Sequence, residues 1–128
     1  MSNSTFNNIL LASSVQTISG TAEGVVNNSH SALLLVIDVT AASGTVPSMI
    51  VKIQGYDRAA DKWLDVLGAV TAAIIGVSTT QLYIIPAAAP ITNIISQVFL
   101  PPRWRAVWTI TGTTPSFTMS LGAQTMLP

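Results

Sequence analysis

The strongest constraint on the fold is a strict alternation of apolar and polar residues near the carboxyl end of the sequence. In residues 103–111, one face would carry Trp104, Ala106, Trp108 and Ile110. Residues 116–122 repeat the pattern with Phe117, Met119 and Leu121. A period of two is typical of a β-strand, because successive side chains point to opposite faces. The pattern predicts two strands that form a hairpin, with residues 112–115 as its loop.

Further strands are predicted at residues 9–18, 31–40, 49–56, 62–67, 69–77 and 81–85. Residues 41–47 contain Gly44 and Pro47 and are expected to separate two of these strands, whereas residues 57–61 (DRAAD) are expected to close a hairpin. Residues 78–80 read as a turn, and residues 91–100 suit either a short helical turn or an extended segment. We find no internal repeat.

The predicted fold is all-β. Seven or eight short strands with turn signals about every 8 to 12 residues favour a two-sheet antiparallel sandwich, either immunoglobulin-like or jelly-roll. A length of 128 residues suits one domain over residues 1–128. The chain contains no Cys, so packing alone must stabilise the core.

Charged residues are unusually scarce. They make up 8% of the chain, against about 25% in typical proteins, while 49% of residues are hydrophobic. Five basic residues balance five acidic ones, so we expect no binding to nucleic acid. We expect no membrane span either, because Ser78–Gln81, Pro86 and Pro90 interrupt the uncharged stretch between Asp65 and Arg103. Either part of the exterior is buried against other protein subunits, in a homo-oligomer, or the surface consists largely of Ser, Thr, Asn and Gln, and we expect both.

The sequence offers little for catalysis, and we expect no enzyme, cofactor or metal site. His30 is the only histidine and lies in a polar turn, where a solvated side chain is commoner than a Ser/His/Asp triad. Zinc would lack a second nitrogen or sulfur ligand. Asp57, Asp61 and Asp65 recur at every fourth residue but lack the Gly and Glu of an EF-hand loop, so we interpret them as a charged hairpin tip.

Five residues are candidates for contact with a partner. Tyr56 and Trp63 flank the predicted hairpin loop, where they form either a ligand platform or a cross-strand packing pair. Arg103 and Arg105 form a basic spot that either meets an acidic partner or remains solvated. Phe6 would anchor residues 1–8 if they form an amino-terminal arm, the alternative being a frayed terminus.

Residues 103–123 (RWRAVWTITGTTPSFTMSLGA) and 51–63 (VKIQGYDRAADKW) resemble small β-sandwich virion proteins of tailed bacteriophages, most closely the capsid decoration or cement proteins. The resemblance spans about residues 31–123 and rests on hairpin texture, so no single functional residue is carried over. It implies a trimer on the outer capsid lattice that clamps neighbouring major capsid proteins without catalysis.

We therefore expect a structural virion protein located on the capsid surface. The first eight residues lack the pattern of a secretion signal, so synthesis in the host cytoplasm is expected. The alternative is a tail- or fibre-associated β-sandwich module that binds a host-surface glycan near Tyr56 and Trp63. A pilus subunit would require export, and a small hydrolase would depend on His30.

Overall fold

The computed structural model describes residues 5–26, 30–86 and 88–126. These residues form seven strands and no helix, which confirms the all-β prediction. The strands are β1 (Thr5–Gln16), β2 (Gly20–Glu23), β3 (Ala32–Asp57), β4 (Lys62–Val70), β5 (Ser78–Ile84), β6 (Ile95–Ser96) and β7 (Trp104–Met126). A search of the described segments for a helix with the length and apolarity of a membrane span found none.

Two long strands, β3 and β7, are the centre of the fold. They pair antiparallel from Ala32 opposite Met126 to Gly55 opposite Trp104. The predicted hairpin at residues 112–115 is therefore wrong, because both of its runs belong to β7 and pair with β3 rather than with each other. Residues 41–47 likewise lie within β3, and residues 78–80 begin β5 instead of forming a turn.

The β3–β7 ladder bends where a short sequence motif occurs twice. The motif is Gly-Thr-x-Pro, at residues 44–47 and 112–115, and the two copies lie opposite each other with Thr45 paired to Thr113. In both copies the glycine has a positive φ, and so does the third residue, Val46 at 50° and Thr114 at 48°. The two copies thus form a local two-fold arrangement, a short repeat that the sequence analysis missed. We call this region the strand crossing.

The strand crossing divides the sheet into two half-sheets of equivalent pairing. The first half-sheet contains residues 116–126 of β7 and 32–43 of β3, flanked by β1 and by β5 with β6. The second contains residues 104–111 of β7 and 48–57 of β3, flanked by β2 and β4. The two half-sheets correspond strand by strand. β1 pairs with β7 in the first as β4 pairs with β3 in the second, and β5 pairs with β3 in the first as β2 pairs with β7 in the second. All seven strands nevertheless belong to one hydrogen-bonded sheet, antiparallel except between β5 and β6.

Buried side chains from both half-sheets belong to one hydrophobic core. On either side of the strand crossing, alternate residues of β3 and β7 contribute, including Leu33, Leu35, Ile37, Met49, Val51, Ile53, Trp104, Trp108, Phe117, Met119 and Leu121. Full burial of one such aliphatic side chain contributes about 1.5–3 kcal/mol, so the core is the main source of stability. The predicted core faces of residues 104–110 and 117–121 are thereby confirmed for the two tryptophans, Phe117, Met119 and Leu121.

The segment between β5 and β7 closes one side of the fold. It contains both predicted alternatives: a single turn, in which the N–H groups of Ile94 and Ile95 donate to the carbonyl of Ile91, and then the two-residue extended strand β6. Its Asn93 Nδ2 donates to the carbonyl of Val70 at 3.1 Å, and the Ser96 hydroxyl donates to the carbonyl of Leu67. These bonds connect the segment to β4 and so join an edge of each half-sheet.

Candidate interface site

Four of the five predicted contact residues meet on the outer face of the second half-sheet. Tyr56 of β3 lies opposite Trp63 of β4, and their ring centroids are 5.3 Å apart at an angle of 59°. The guanidinium carbon of Arg103 lies 4.3 Å from the Tyr56 ring centroid and 5.1 Å from that of Trp63. Arg105 lies 4.4 Å from the Trp63 ring. We call these four residues the cation–aromatic cluster.

The hairpin that carries the two rings has the predicted position. Residues 58–61 join β3 to β4, with Asp57 opposite Lys62. The Asp57 carboxylate accepts a hydrogen bond from the backbone N–H of Ala60 at 2.9 Å, which stabilises the turn. The Tyr56 hydroxyl donates to the Asp61 carboxylate, and this bond raises the pKa of Tyr56 above 10.0. Asp57 and Asp61 therefore have structural partners at the hairpin tip.

A row of hydrogen bonds fixes Arg105 across three strands. Its Nε donates to Gln54 Oε1 at 2.9 Å, and Gln54 Nε2 donates to Asp65 Oδ1 at 2.9 Å. Lys52 Nζ lies 3.0 Å from the same Asp65 oxygen. The bond from Gln54, followed by that from Lys52, holds the pKa of Asp65 below 3.8. Arg105 is thus oriented by a neutral amide rather than neutralised by a carboxylate.

Arg103 is oriented in a different way. Its Nε lies 3.2 Å from Glu23 Oε1 of β2, while its guanidinium carbon is over the Tyr56 ring. Sequence reasoning did not connect Glu23 or Gln54 with this site, because neither belongs to a motif. The strand register would have identified them. Across β2, β7, β3 and β4, the successive paired residues are Glu23, Arg105, Gln54 and Asp65.

Charge is distributed very unevenly over the described residues. All five Lys and Arg residues and four of the five Asp and Glu residues lie in the second half-sheet, in its hairpin loop or, in the case of Arg103, directly before β7. The exception is Asp38 of the first half-sheet, whose carboxylate accepts a hydrogen bond from Thr79 at 2.9 Å. The outer face of the first half-sheet therefore has a single charged group on its described strands.

Many large apolar side chains are exposed. Fourteen of those described have at least 40% of their surface accessible. Half of them line three adjoining shallow grooves along β4, residues 71–77 and residues 91–99: Leu64, Leu67, Ile75, Val77, Ile91, Ile94 and Phe99. We call this surface the apolar margin. Leu67 is 80% exposed and lines two of the three grooves.

The remaining candidate residues do not form a chemical site with these groups. His30 Nδ1 lies 2.9 Å from Thr125 Oγ1, next to the beginning of β3. Within residues 5–26, 30–86 and 88–126, no three His, Asp or Glu side chains are grouped as metal ligands would be. The backbone of Phe6, in β1, pairs with that of Thr125, in β7. The Phe6 side chain and residues 1–4 lie outside the described part of the chain. The amino-terminal arm therefore stays a prediction.

Comparisons with protein-family models, with curated proteins and with solved structures found no match to this chain. The functional argument consequently depends on the surface itself, namely the apolar margin and the cation–aromatic cluster.

Proposed function

We propose that the chain is a structural virion protein that decorates and stabilises a bacteriophage capsid. It would bind the lattice of the major capsid protein as a homo-oligomer, with a trimer as the expected form, and act without catalysis. The observation that supports assembly most directly is the apolar margin. A monomer in water rarely exposes a contiguous apolar patch larger than a few hundred Å² unless the patch has a binding role.

The energetics favour burial of this surface. Removing apolar surface from water contributes about 25 cal/mol per Å², and association costs at least about 4 kcal/mol in lost freedom of motion. Leu67, Phe99 and Ile75 are each more than 60% exposed, so together they supply a large part of the apolar area that offsets this cost. The outer face of the first half-sheet has one charged group on its described strands, Asp38, so contact there would desolvate few ions.

The glycan-binding alternative has less support from the geometry. Sugar rings stack on the open faces of aromatic side chains, and at this site guanidinium groups lie over both rings. Arg103 covers Tyr56 at 4.3 Å, and Arg105 covers Trp63 at 4.4 Å. Ring surface that a sugar would use is therefore already in contact with the protein's own cations.

Assembly is tested with the purified protein by light scattering coupled to size-exclusion chromatography. We expect the wild type to form an oligomer and Leu67→Asp combined with Phe99→Asp to shift it towards the monomer. Ala59→Asp is the matched control, because it adds a carboxylate at an exposed hairpin position away from the margin. A wild type that remains monomeric at millimolar concentration would contradict the proposal.

The virion role is tested on particles. We expect electron microscopy to locate the chain on the outer surface of the head. We also expect heads that lack it to rupture at lower temperature and to recover when purified protein is added. Heads of unaltered strength combined with defective adsorption to the host would instead support the fibre-associated alternative.

A further inference from the structure

The two arginines of the cation–aromatic cluster are held in similar ways. Each uses Nε for a bond within the protein, Arg103 to Glu23 and Arg105 to Gln54, and each lies over an aromatic ring. No terminal guanidinium nitrogen of either residue donates a hydrogen bond to another described residue. Two preorganised guanidinium groups, both within about 5 Å of the Trp63 ring centroid, therefore present unoccupied donor pairs.

We propose that the cation–aromatic cluster binds a carboxylate side chain of the partner protein through the terminal nitrogens of Arg103 and Arg105. With Nε occupied, the remaining edge of a guanidinium is its pair of terminal N–H₂ groups. This pair matches the two oxygens of a carboxylate in a bidentate arrangement. The inference deepens the proposed function and rests on it for the identity of the partner, since it assigns the chemistry of one contact with the capsid.

The surroundings favour a single carboxylate over a polyanion. Glu23 and Asp65 lie beside the two arginines, and Asp61 is bonded to Tyr56. A nucleic acid strand with a phosphate at each nucleotide would be repelled by these acids. An isolated carboxylate between the arginines experiences less of this repulsion, because only one additional negative charge enters the site.

Ring stacking adds to the selectivity. A guanidinium on an aromatic face loses little freedom when it binds, because the ring and the Nε bond already fix its orientation. Lys at the same positions would keep the charge but lose both the planar stacking and the paired donors. Arg→Lys substitutions therefore distinguish a site that depends on the shape and paired donors of the guanidinium group from one that needs only a positive charge.

The test is a nuclear magnetic resonance titration of the full chain with an end-blocked Gly-Gly-Glu-Gly-Gly peptide, which carries one carboxylate. We expect saturable shifts of the Trp63 indole N–H and of the Nε–H groups of Arg103 and Arg105, with no comparable shift of the buried Trp104 and Trp108. Arg103→Lys combined with Arg105→Lys should weaken binding by about tenfold. Arg58→Lys, in the hairpin loop, is the matched control and should leave the affinity unchanged.

Three outcomes would overturn the inference: no saturable shift, equal affinity in the double lysine variant, or tighter binding of a single-stranded oligonucleotide of the same charge. These outcomes are distinguishable from failure of the proposed function. The peptide titration reports on the cluster alone, whereas the oligomeric state and the location on the particle report on assembly. If the protein forms an oligomer and binds phage heads but does not bind the peptide, the proposed function stands and only the proposed carboxylate contact is refuted.

Discussion

The two core tryptophans of β7 pack directly against glycines. A Cβ atom added to Gly20 would lie 2.6 Å from Trp108 Cζ2, and one added to Gly24 would lie 2.3 Å from Cε2 and Cζ2 of Trp104. Real Cβ atoms do not approach other atoms so closely. The indole rings therefore fill the space in which any other residue at these positions would place its side chain.

The Gly24→Ala variant tests this packing. We expect its free energy of unfolding to fall by about 1–3 kcal/mol, because the added methyl must displace the Trp104 ring or the β2 backbone. Gly122→Ala is the control, since no atom lies within 4 Å of the added Cβ, and it should change stability by less than about 0.5 kcal/mol. Urea denaturation at one fixed protein concentration measures both, and equal effects would refute the explanation.

Asp65 gives a prediction about pH. Its pKa is lowered in the folded protein, mainly by the bond from Gln54, so its contribution to stability is complete above about 3.8 and is lost as pH falls through the folded pKa. Because the Asp65 carboxylate is largely exposed, this contribution is small. In an NMR titration, Gln54→Ala should move the pKa of Asp65 up towards 3.8. A wild-type Asp65 that titrates at or above 3.8 would contradict the assignment.

The sequence correctly predicted the position of single residues where apolar and polar side chains alternate along a strand. It placed Trp104 and Trp108 in the core and the cross-strand pair of Tyr56 and Trp63 beside the hairpin loop. It could not place the arginines over the rings, because that contact depends on β7 lying next to β3. Strand adjacency is a property of long-range pairing, which alternation within one strand does not report.

At the level of elements, the main difference concerns β3 and β7. The glycine and proline residues of the strand crossing are ordinary turn signals, and they predicted chain reversals at residues 41–47 and 112–115. In the structure the same residues accommodate register shifts and positive φ values inside continuous strands. The period-two pattern was correct on each side of the bend, but it contains no information on whether the chain reverses or continues.

The strand crossing places two β-branched residues, Val46 and Thr114, in the left-handed region. For such residues this conformation costs about 1–2 kcal/mol. Asn tolerates it better, so Thr114→Asn should raise the free energy of unfolding by about 1 kcal/mol. Thr113→Asn is the control, because Thr113, the preceding residue, does not itself have a positive φ, and it should give no gain. Thermal denaturation distinguishes the two variants, and equal melting temperatures would argue against strain at this bend.

At the level of the whole molecule, charge and apolar surface are separated. Nearly all ionic groups lie on the second half-sheet, and the described outer face of the first half-sheet has only Asp38. Within the apolar margin, charged residues line only the groove at Leu64 and Phe99, where Asp57 and Asp65 lie. Contacts made by these two kinds of surface must respond differently to salt, because screening weakens ion pairs and leaves apolar burial intact.

We therefore expect peptide binding to depend on salt and the oligomer to be insensitive to it in the same sample. Raising sodium chloride from about 0.05 M to 0.5 M, which shortens the screening length severalfold, should weaken binding of the glutamate peptide several-fold. Over the same range the oligomer should persist in sedimentation velocity measurements. Dissociation of the oligomer by salt would show that ionic groups, and not the apolar margin, hold the copies together.

The central position of β7 has a consequence for how the chain reaches this state. β7 follows the other six described strands in the sequence, yet it is the only described strand partner of β1 and β2 and it covers one edge of β3, so these pairings are absent until β7 is in place. Closing loops between distant segments is entropically slow. Until β7 has been synthesised, the edge of β3 that it covers stays open to mispairing, so we expect folding to be completed only after β7 is available.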